Sequence, residues 1–238
     1  MDYKVTPNFA IGIDAGYART GAELNHNGRV TVDGAKAGIY ATYFTGTGFY
    51  VDVAANGGYN SYDTRRSALR GNAYGSTKGG EFNALFATGY DWKTGGLSIG
   101  PVASVQYTYV GLDSFRERGS LAPLKFGSNS SESLRTALGL KASYDIQAGG
   151  VVIRPEVRAS WQHEFGDSSY ALDSRLANGA GNTFTVHGPE IGDDSLLLGA
   201  GVAVLWNERT STYVYYDGEL ARTNYRSNNV SGGVRLSF

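Results

Sequence analysis

Three histidines, His26, His163 and His187, and the run Asp193, Asp194, Ser195 are the residues of this chain whose types could support hydrolysis. A histidine acting as general base must come within ~3 Å of the proton it removes and be oriented by a partner. His26 and His187 fall in polar stretches that read as loops, whereas His163 alternates with Trp161 and Phe165 in a strand-like segment. Sharing a face with two large aromatics points His163 outward, a poor place for a base, and adjacent acids in a loop are ordinarily solvated. Neither a His-Glu-x-x-His spacing nor a phosphate-binding glycine loop occurs. Cysteine is absent, which removes disulfides, thiolate nucleophiles and Cys-based zinc sites together. The expectation is a chain that is not an enzyme and uses no metal or cofactor.

The elements that would have to position such groups are strands. From Val151 to Trp161 every odd residue is apolar, while Arg154, Glu156, Arg158 and Ser160 take the other face. The same period of two runs through Phe49, Val51, Val53 and Ala55, and through Leu97, Ile99, Pro101, Ala103, Val105 and Tyr107. About ten such segments can be marked, at 8–17, 35–44, 48–60, 81–92, 97–110, 133–146, 151–165, 195–206, 211–221 and 229–238. Each reaches the ~9 to 11 residues that a tilted strand needs to cross a bilayer.

Their connections alternate in length. Short turns at 45–47, 93–96, 147–150 and 207–210 alternate with long polar stretches at 18–34, 61–80, 111–132 and 166–194, which read as loops. Tyr90, Trp92, Tyr144, Trp206 and Phe238 sit beside the short turns or the C-terminus, and Tyr59, Tyr107, Tyr109, Trp161 and Phe165 sit at the opposite strand ends. Short turns, long loops and two aromatic bands are the signature of an outer-membrane barrel. A soluble β-sandwich predicts neither the alternating loop lengths nor the two bands. The fold expected is therefore all-β, an antiparallel up-and-down transmembrane β-barrel in the bacterial outer membrane.

Composition agrees. Of 238 residues 18% are charged, against roughly 25% in an ordinary soluble domain, and the net charge of −1 offers nucleic acid no basic surface. Asp14, Lys36, Asp52, Arg135, Lys141, Arg154, Glu156, Arg158, Asp217, Glu219 and Arg235 all take the polar parity of their strands, so they are expected to line the lumen. They mix both signs, whereas a dedicated ion pore would favour one. In the last segment Val230, Val234, Leu236 and Phe238 share the apolar face. Val234, Leu236 and the terminal Phe238 resemble the C-terminal signal by which outer-membrane proteins reach the barrel assembly machinery.

A family resemblance rests on ordered stretches along nearly the whole chain. They are Thr6-Pro7-Asn8-Phe9-Ala10-Ile11-Gly12 with Gly16-Tyr17, Tyr62-Asp63-Thr64-Arg65-Arg66, and Phe82-Asn83-Ala84 leading to Gly89-Tyr90-Asp91. Pro101, Phe115-Arg116-Glu117-Arg118-Gly119 and Leu134 to Gly139 continue the order, as do Arg154-Pro155 leading to Trp161-Gln162-His163-Glu164-Phe165. Phe184-Thr185-Val186, Tyr216-Asp217-Gly218-Glu219 and the final Phe238 complete it.

Together these resemble the translocator domain of bacterial autotransporters. The resemblance implies a monomeric twelve-stranded barrel that anchors and translocates an N-terminal passenger in type V secretion. Its expected partners are outer-membrane lipid, the assembly machinery and its own upstream passenger segment, which residues 1–238 do not include. Only about ten of the family's twelve strands are expected here, with Asp2-Tyr3-Lys4 ending the second family strand, so residues 1–238 read as one β-barrel domain that is N-terminally incomplete. By itself such a sheet is expected to fold poorly, because unpaired backbone groups cost several kcal/mol each in lipid. Rival readings are an outer-membrane hydrolase or protease with its site among the loops, and a small porin.

Overall fold

A computed structural model describes residues 2–24, 27–167, 169, 171–179, 181–207 and 209–236. In chain order the strands are β1 (Asp2–Thr6), β2 (Phe9–Leu24), β3 (Gly28–Phe44), β4 (Phe49–Ala68), β5 (Gly71–Tyr90), β6 (Trp92–Thr94), β7 (Leu97–Leu112), β8 (Phe115–Arg116) and β9 (Leu124–Phe126). There follow β10 (Asn129–Tyr144), β11 (Ile146–Ala148), β12 (Val151–Glu164), β13 (Ala171–Leu176), β14 (Phe184–His187), β15 (Asp194–Leu205), β16 (Thr210–Arg222) and β17 (Tyr225–Leu236). The main sheet runs β1-β2-β3-β4-β5-β7-β10-β12-β15-β16-β17, with every neighbour antiparallel to the next. It curls, so that strands from β4 to β17 enclose one cavity. Among the described residues β1 and β17 are its two edges. The barrel expected from the sequence is thus a curled sheet here, without a β1–β17 seam.

Over the described residues all ten expected segments form strands, and a short eleventh, β1, pairs Tyr3 with Ile11. Two of the four expected loops are not loops. Pairing of β2 with β3 continues to Leu24 opposite Gly28, and β4 with β5 to Ala68 opposite Gly71, so 18–34 and 61–80 are mostly hairpin. Arg70 (φ 51°) and Gly71 (φ 130°) supply the left-handed backbone that so tight a reversal needs. In the β4–β5 extension the outer face is exposed while the inner face carries only the small residues Ala73, Gly75, Thr77 and Gly79, buried under the connection that follows β7, so no large apolar alternation marks the sequence. The other two stretches contribute a separate small sheet, β14-β13-β9-β8.

The burial pattern inverts that of a water-soluble protein. Among the described residues Ala73 is the one buried apolar side chain, while Ile13, Ile39, Leu138, Val157 and Val230 are all more than half exposed. They share the outward parity with Tyr59, Trp92, Tyr144, Trp161, Phe165 and Trp206, which form the two aromatic bands. An apolar exterior of this kind is stable only against hydrocarbon.

Facing direction along β12 sets one expectation. A cationic side chain on the lipid face near mid-bilayer costs about 2–4 kcal/mol. Val157→Arg should therefore lower the yield of heat-modifiable, membrane-inserted chain strongly, and Glu156→Gln should not. Equal yields would reverse the assigned faces.

Candidate functional site

Alternation brings the polar residues of neighbouring strands to the concave face, where they meet directly across the sheet. A cavity of about 650 Å³ is lined by Asp52, Lys141, Glu156, Arg158, Asp217 and Glu219, together with Tyr50, Gln106 and Ser227. Three of the cations along this wall are neutralised by acids that lie beyond the neighbouring strand residue. Lys36 reaches Glu81 at 2.9 Å over Gly58, which lies between them in the register. Arg158 pairs with Asp217 over Gly199, and Lys141 reaches Asp91 at 3.3 Å past Gly100. A Cβ at Gly199 would lie 2.5 Å from the Arg158 Nε, so only glycine leaves room for the guanidinium to cross. Lys141 and Arg158 are directly opposite, a repulsive placement that each resolves through its own carboxylate. The Lys141 ammonium also sits 4.2 Å from the centre of the Tyr50 ring.

The remaining residues expected in the lumen share this face. Thr42 donates to Asp52 at 2.7 Å, and an Asp14 carboxylate oxygen lies 3.0 Å from where a Gly38 Cβ would stand. Arg154 donates twice to Asp145 in the β10–β11 turn, at 2.5 and 2.7 Å. Arg235 is opposite Ser211. A ladder of neutral groups joins them, in which Asn83 donates to Asn56 at 3.0 Å and Thr108 to Asn83 at 2.9 Å. On the other face Val234 and Leu236 are 66% and 58% exposed, whereas Phe238, expected to end their row, lies outside the described residues.

The most tightly held group is one that sequence parity did not single out. Glu164, 3% exposed, accepts from the Ser133 hydroxyl (2.6 Å), the Leu134 amide (2.9 Å), the Arg135 guanidinium (2.7 Å) and the Gly166 amide (3.0 Å). Arg222, also buried, stands 3.7 Å from it and donates to Glu219 at 3.1 Å and to the Gly192 carbonyl at 2.6 Å. This network ties β10, β12 and β16 together at the end of the sheet where the long connections emerge. A second tie holds the 113–128 connection, where Arg66 donates to both oxygens of Glu117 at 2.8 and 2.6 Å. Glu117 in turn accepts from the Leu124 amide.

The groups that could have been catalytic do not converge. His163 Nδ1 lies 2.9 Å from Asp194, and the Trp161 indole donates to the same carboxylate at 3.0 Å, all on the outward face. Ser195, next in sequence, points to the opposite face, where it is 3% exposed and accepts from Gln162 at 3.1 Å. The sheet itself separates the hydroxyl from the imidazole. His187 is exposed on β14, and His26 lies outside the described residues. Among the described residues no group of three or more His, Cys, Asp or Glu side chains could hold a metal ion.

Comparison with known proteins settles the class. The family profile described as "Autotransporter beta-domain" matches residues 1–217. The chain belongs to the autotransporter β-domain family. It is 26% identical over 247 residues to an extracellular serine protease of Serratia marcescens, and 27% identical over 215 residues to the probable autotransporter YcgV of Escherichia coli K12. These matches cover 100% and 84% of this chain but only 23% and 20% of the relatives, so the chain spans under a quarter of their length. The translocator domain of the autotransporter NalP from Neisseria meningitidis superposes with a TM-score of 0.79 at 18% identity, over 100% of this chain and 78% of that one. The β-domain of the Bordetella autotransporter BrkA gives 0.71 at 20% identity, over 97% and 84%.

The autotransporter β-domain is thus an outer-membrane barrel element of type V secretion, and its fold is that of a translocator domain. Two expectations follow from its polar ties. Glu164→Ala strands Arg135 and Arg222 without their shared carboxylate, and breaking a buried pair costs about 3–5 kcal/mol. The heat-modifiable transition should fall steeply, whereas Asp14→Ala should leave it nearly unchanged. The Arg154 guanidinium bonded to Asp145 holds that carboxyl below its ordinary value. A depressed carboxyl pKa stabilises the folded state above the unfolded value, and that stabilisation is lost as pH falls through the depressed one. The stability difference between the parent and Asp145→Asn, measured by thermal unfolding, should accordingly be constant near neutral pH and vanish in acid below the ordinary aspartate range.

Proposed function

We propose that the concave wall lines the path by which a passenger polypeptide attached to this domain crosses the outer membrane, and that the barrel then anchors what it has exported. The observation supporting this reading is the self-paired wall. Lys36 and Arg158 are each matched to an acid two strands away and Lys141 to Asp91 between β5 and β6, which leaves a hydrated surface without a dominant sign. A passage lined by one sign would bind segments of the other sign and stall them, whereas a balanced wall lets chains of any composition slide. Asp14, Asp52, Arg135, Arg154, Glu156, Glu219 and Arg235 extend that balanced lining.

In this reading the domain does no chemistry of its own. The opposite facing of Ser195 and His163 favours a passage over the hydrolase alternative. The word protease in a relative's name describes a protein more than four times the length of the matched region. The domain functions as a monomer in contact with lipid. Its Val234, Leu236 and Phe238 are read by the barrel assembly machinery.

Two measurements test this. In the full-length protein, converting Glu156, Asp217 and Glu219 to their amides leaves a cationic wall. Surface display of an acidic passenger, measured per folded barrel in the membrane, should drop several-fold relative to that of a basic passenger, and display indifferent to passenger charge would remove the wall from the mechanism. Deleting Phe238 should reduce outer-membrane levels beyond what one lost apolar contact of about 1.5–3 kcal/mol explains. Undiminished levels would reduce the C-terminal row to lipid contact.

A further inference from the structure

The outward face of the extended hairpins carries a row of arginines that the translocation path does not use. Register places Arg29 directly opposite Arg65, Arg65 opposite Tyr74, and Tyr74 in a bridge with Arg118. All four are exposed, as are Ser76 and Arg116. Arg116, Arg118, Tyr74, Ser76 and Asp63 line a groove of about 500 Å³. Arg29 is paired with Glu23 at 3.0 Å and Arg116 donates to the Ala177 carbonyl at 2.8 Å. Each guanidinium has five donors, so both retain further ones. Like charges directly opposite on a sheet repel, and an anion seated between them removes the penalty.

Height decides what that anion belongs to. On β4 the outward row passes from Tyr59, in the aromatic band, through Ser61 and Asp63 to Arg65, six residues further along. At ~3.3 Å per residue and a tilt near 45° this is about 14 Å above the band. A phospholipid headgroup layer is only ~5–8 Å deep, so its phosphates lie below the groove. A headgroup built from several sugars reaches it. The groove offers such a headgroup an exposed tyrosine face for a sugar ring, Ser76 and Asp63 for hydroxyls, and arginines for phosphate. The opposite face of this hairpin is unavailable, because Phe115, stacked on Phe126 at 4.6 Å, packs against Gly75 there.

We propose that this groove binds the phosphorylated saccharide headgroup of an outer-leaflet glycolipid, with Arg65, Arg116 and Arg118 on phosphate and Tyr74 against a sugar ring. The proposal rests on the outer-membrane reading and adds a ligand to the lipid side of the same domain.

The test uses the full-length protein, extracted folded from the outer membrane in neutral detergent and stripped of lipid. It is titrated with lipopolysaccharide bearing a phosphorylated core, with the same lipid after dephosphorylation, with phosphatidylglycerol, and with inorganic phosphate, and binding is read by native mass spectrometry. The phosphorylated glycolipid should bind at least tenfold tighter than either comparison lipid. Arg65→Gln combined with Arg118→Gln should remove most of that difference, and Tyr74→Ala should weaken glycolipid binding with phosphate binding unchanged. Equal affinity for the dephosphorylated lipid or phosphatidylglycerol overturns the assignment, as does full competition by millimolar phosphate, which would mark a free-anion site. The lipid comparison on the unaltered protein decides even where a variant misfolds. Absence of folded protein from the outer membrane would instead refute the localisation on which the proposal rests.

Discussion

Backbone hydrogen bonding in a medium without water is the constraint on which the rest of this structure depends. Hydrocarbon offers no partner to an amide or carbonyl, so a chain that crosses it by strands must pair each strand with its neighbours. The unbroken antiparallel register from β2 through β16 meets that demand. Once the register is set, the period of two leaves no freedom in facing. One set of side chains meets lipid and the other the concave side, which is why the exterior is apolar and the interior wall carries the charge.

Placing charge on a concave wall raises its own difficulty, since strands some 4.8 Å apart crowd like charges together. The wall resolves this with glycine. At Gly58 and Gly199 the missing Cβ lets a long cationic side chain lie across one strand and end on the next. At the end of the sheet where the long connections emerge the solution differs. There Glu164 and Arg222 are fully enclosed and satisfied by several donors and acceptors, an arrangement that lets a buried charge persist.

Strand number, facing and the two aromatic bands were legible in the sequence because lipid imposes them residue by residue. Val157 and Arg158 announce their sides by chemistry alone. The hairpin extensions were not legible: around Val30, Asp33, Tyr62 and Lys78 the outer face is polar, and the covered inner face of β5 uses only small residues such as Ala73, Gly75 and Thr77, so the large apolar alternation that marks a strand is absent. Parity also gives the side of the sheet without the reach across it. Arg135 could be assigned to the inner face, but its partner Glu164 ends a stretch whose aromatics dominate the pattern, and Arg222 falls just beyond the recognisable part of β16. Glu81 shares the parity of Asn83 and was open to the same reasoning that selected Lys36. The small sheet β14-β13-β9-β8 joins segments some fifty residues apart, a pairing that no local pattern encodes.

The strand-skipping pairs also have a mechanical meaning. A tie between strands two apart on the inside of a curved sheet acts as a chord, since flattening the sheet lengthens the span between its ends while tighter curling shortens it. Lys36 to Glu81, Lys141 to Asp91 and Arg158 to Asp217 therefore resist widening more than narrowing. They lie at different places around the circumference, so the sheet is stiff at three stations and compliant between them. A wall built this way yields locally to a bulky object by bending at its untied strands while its overall radius is held.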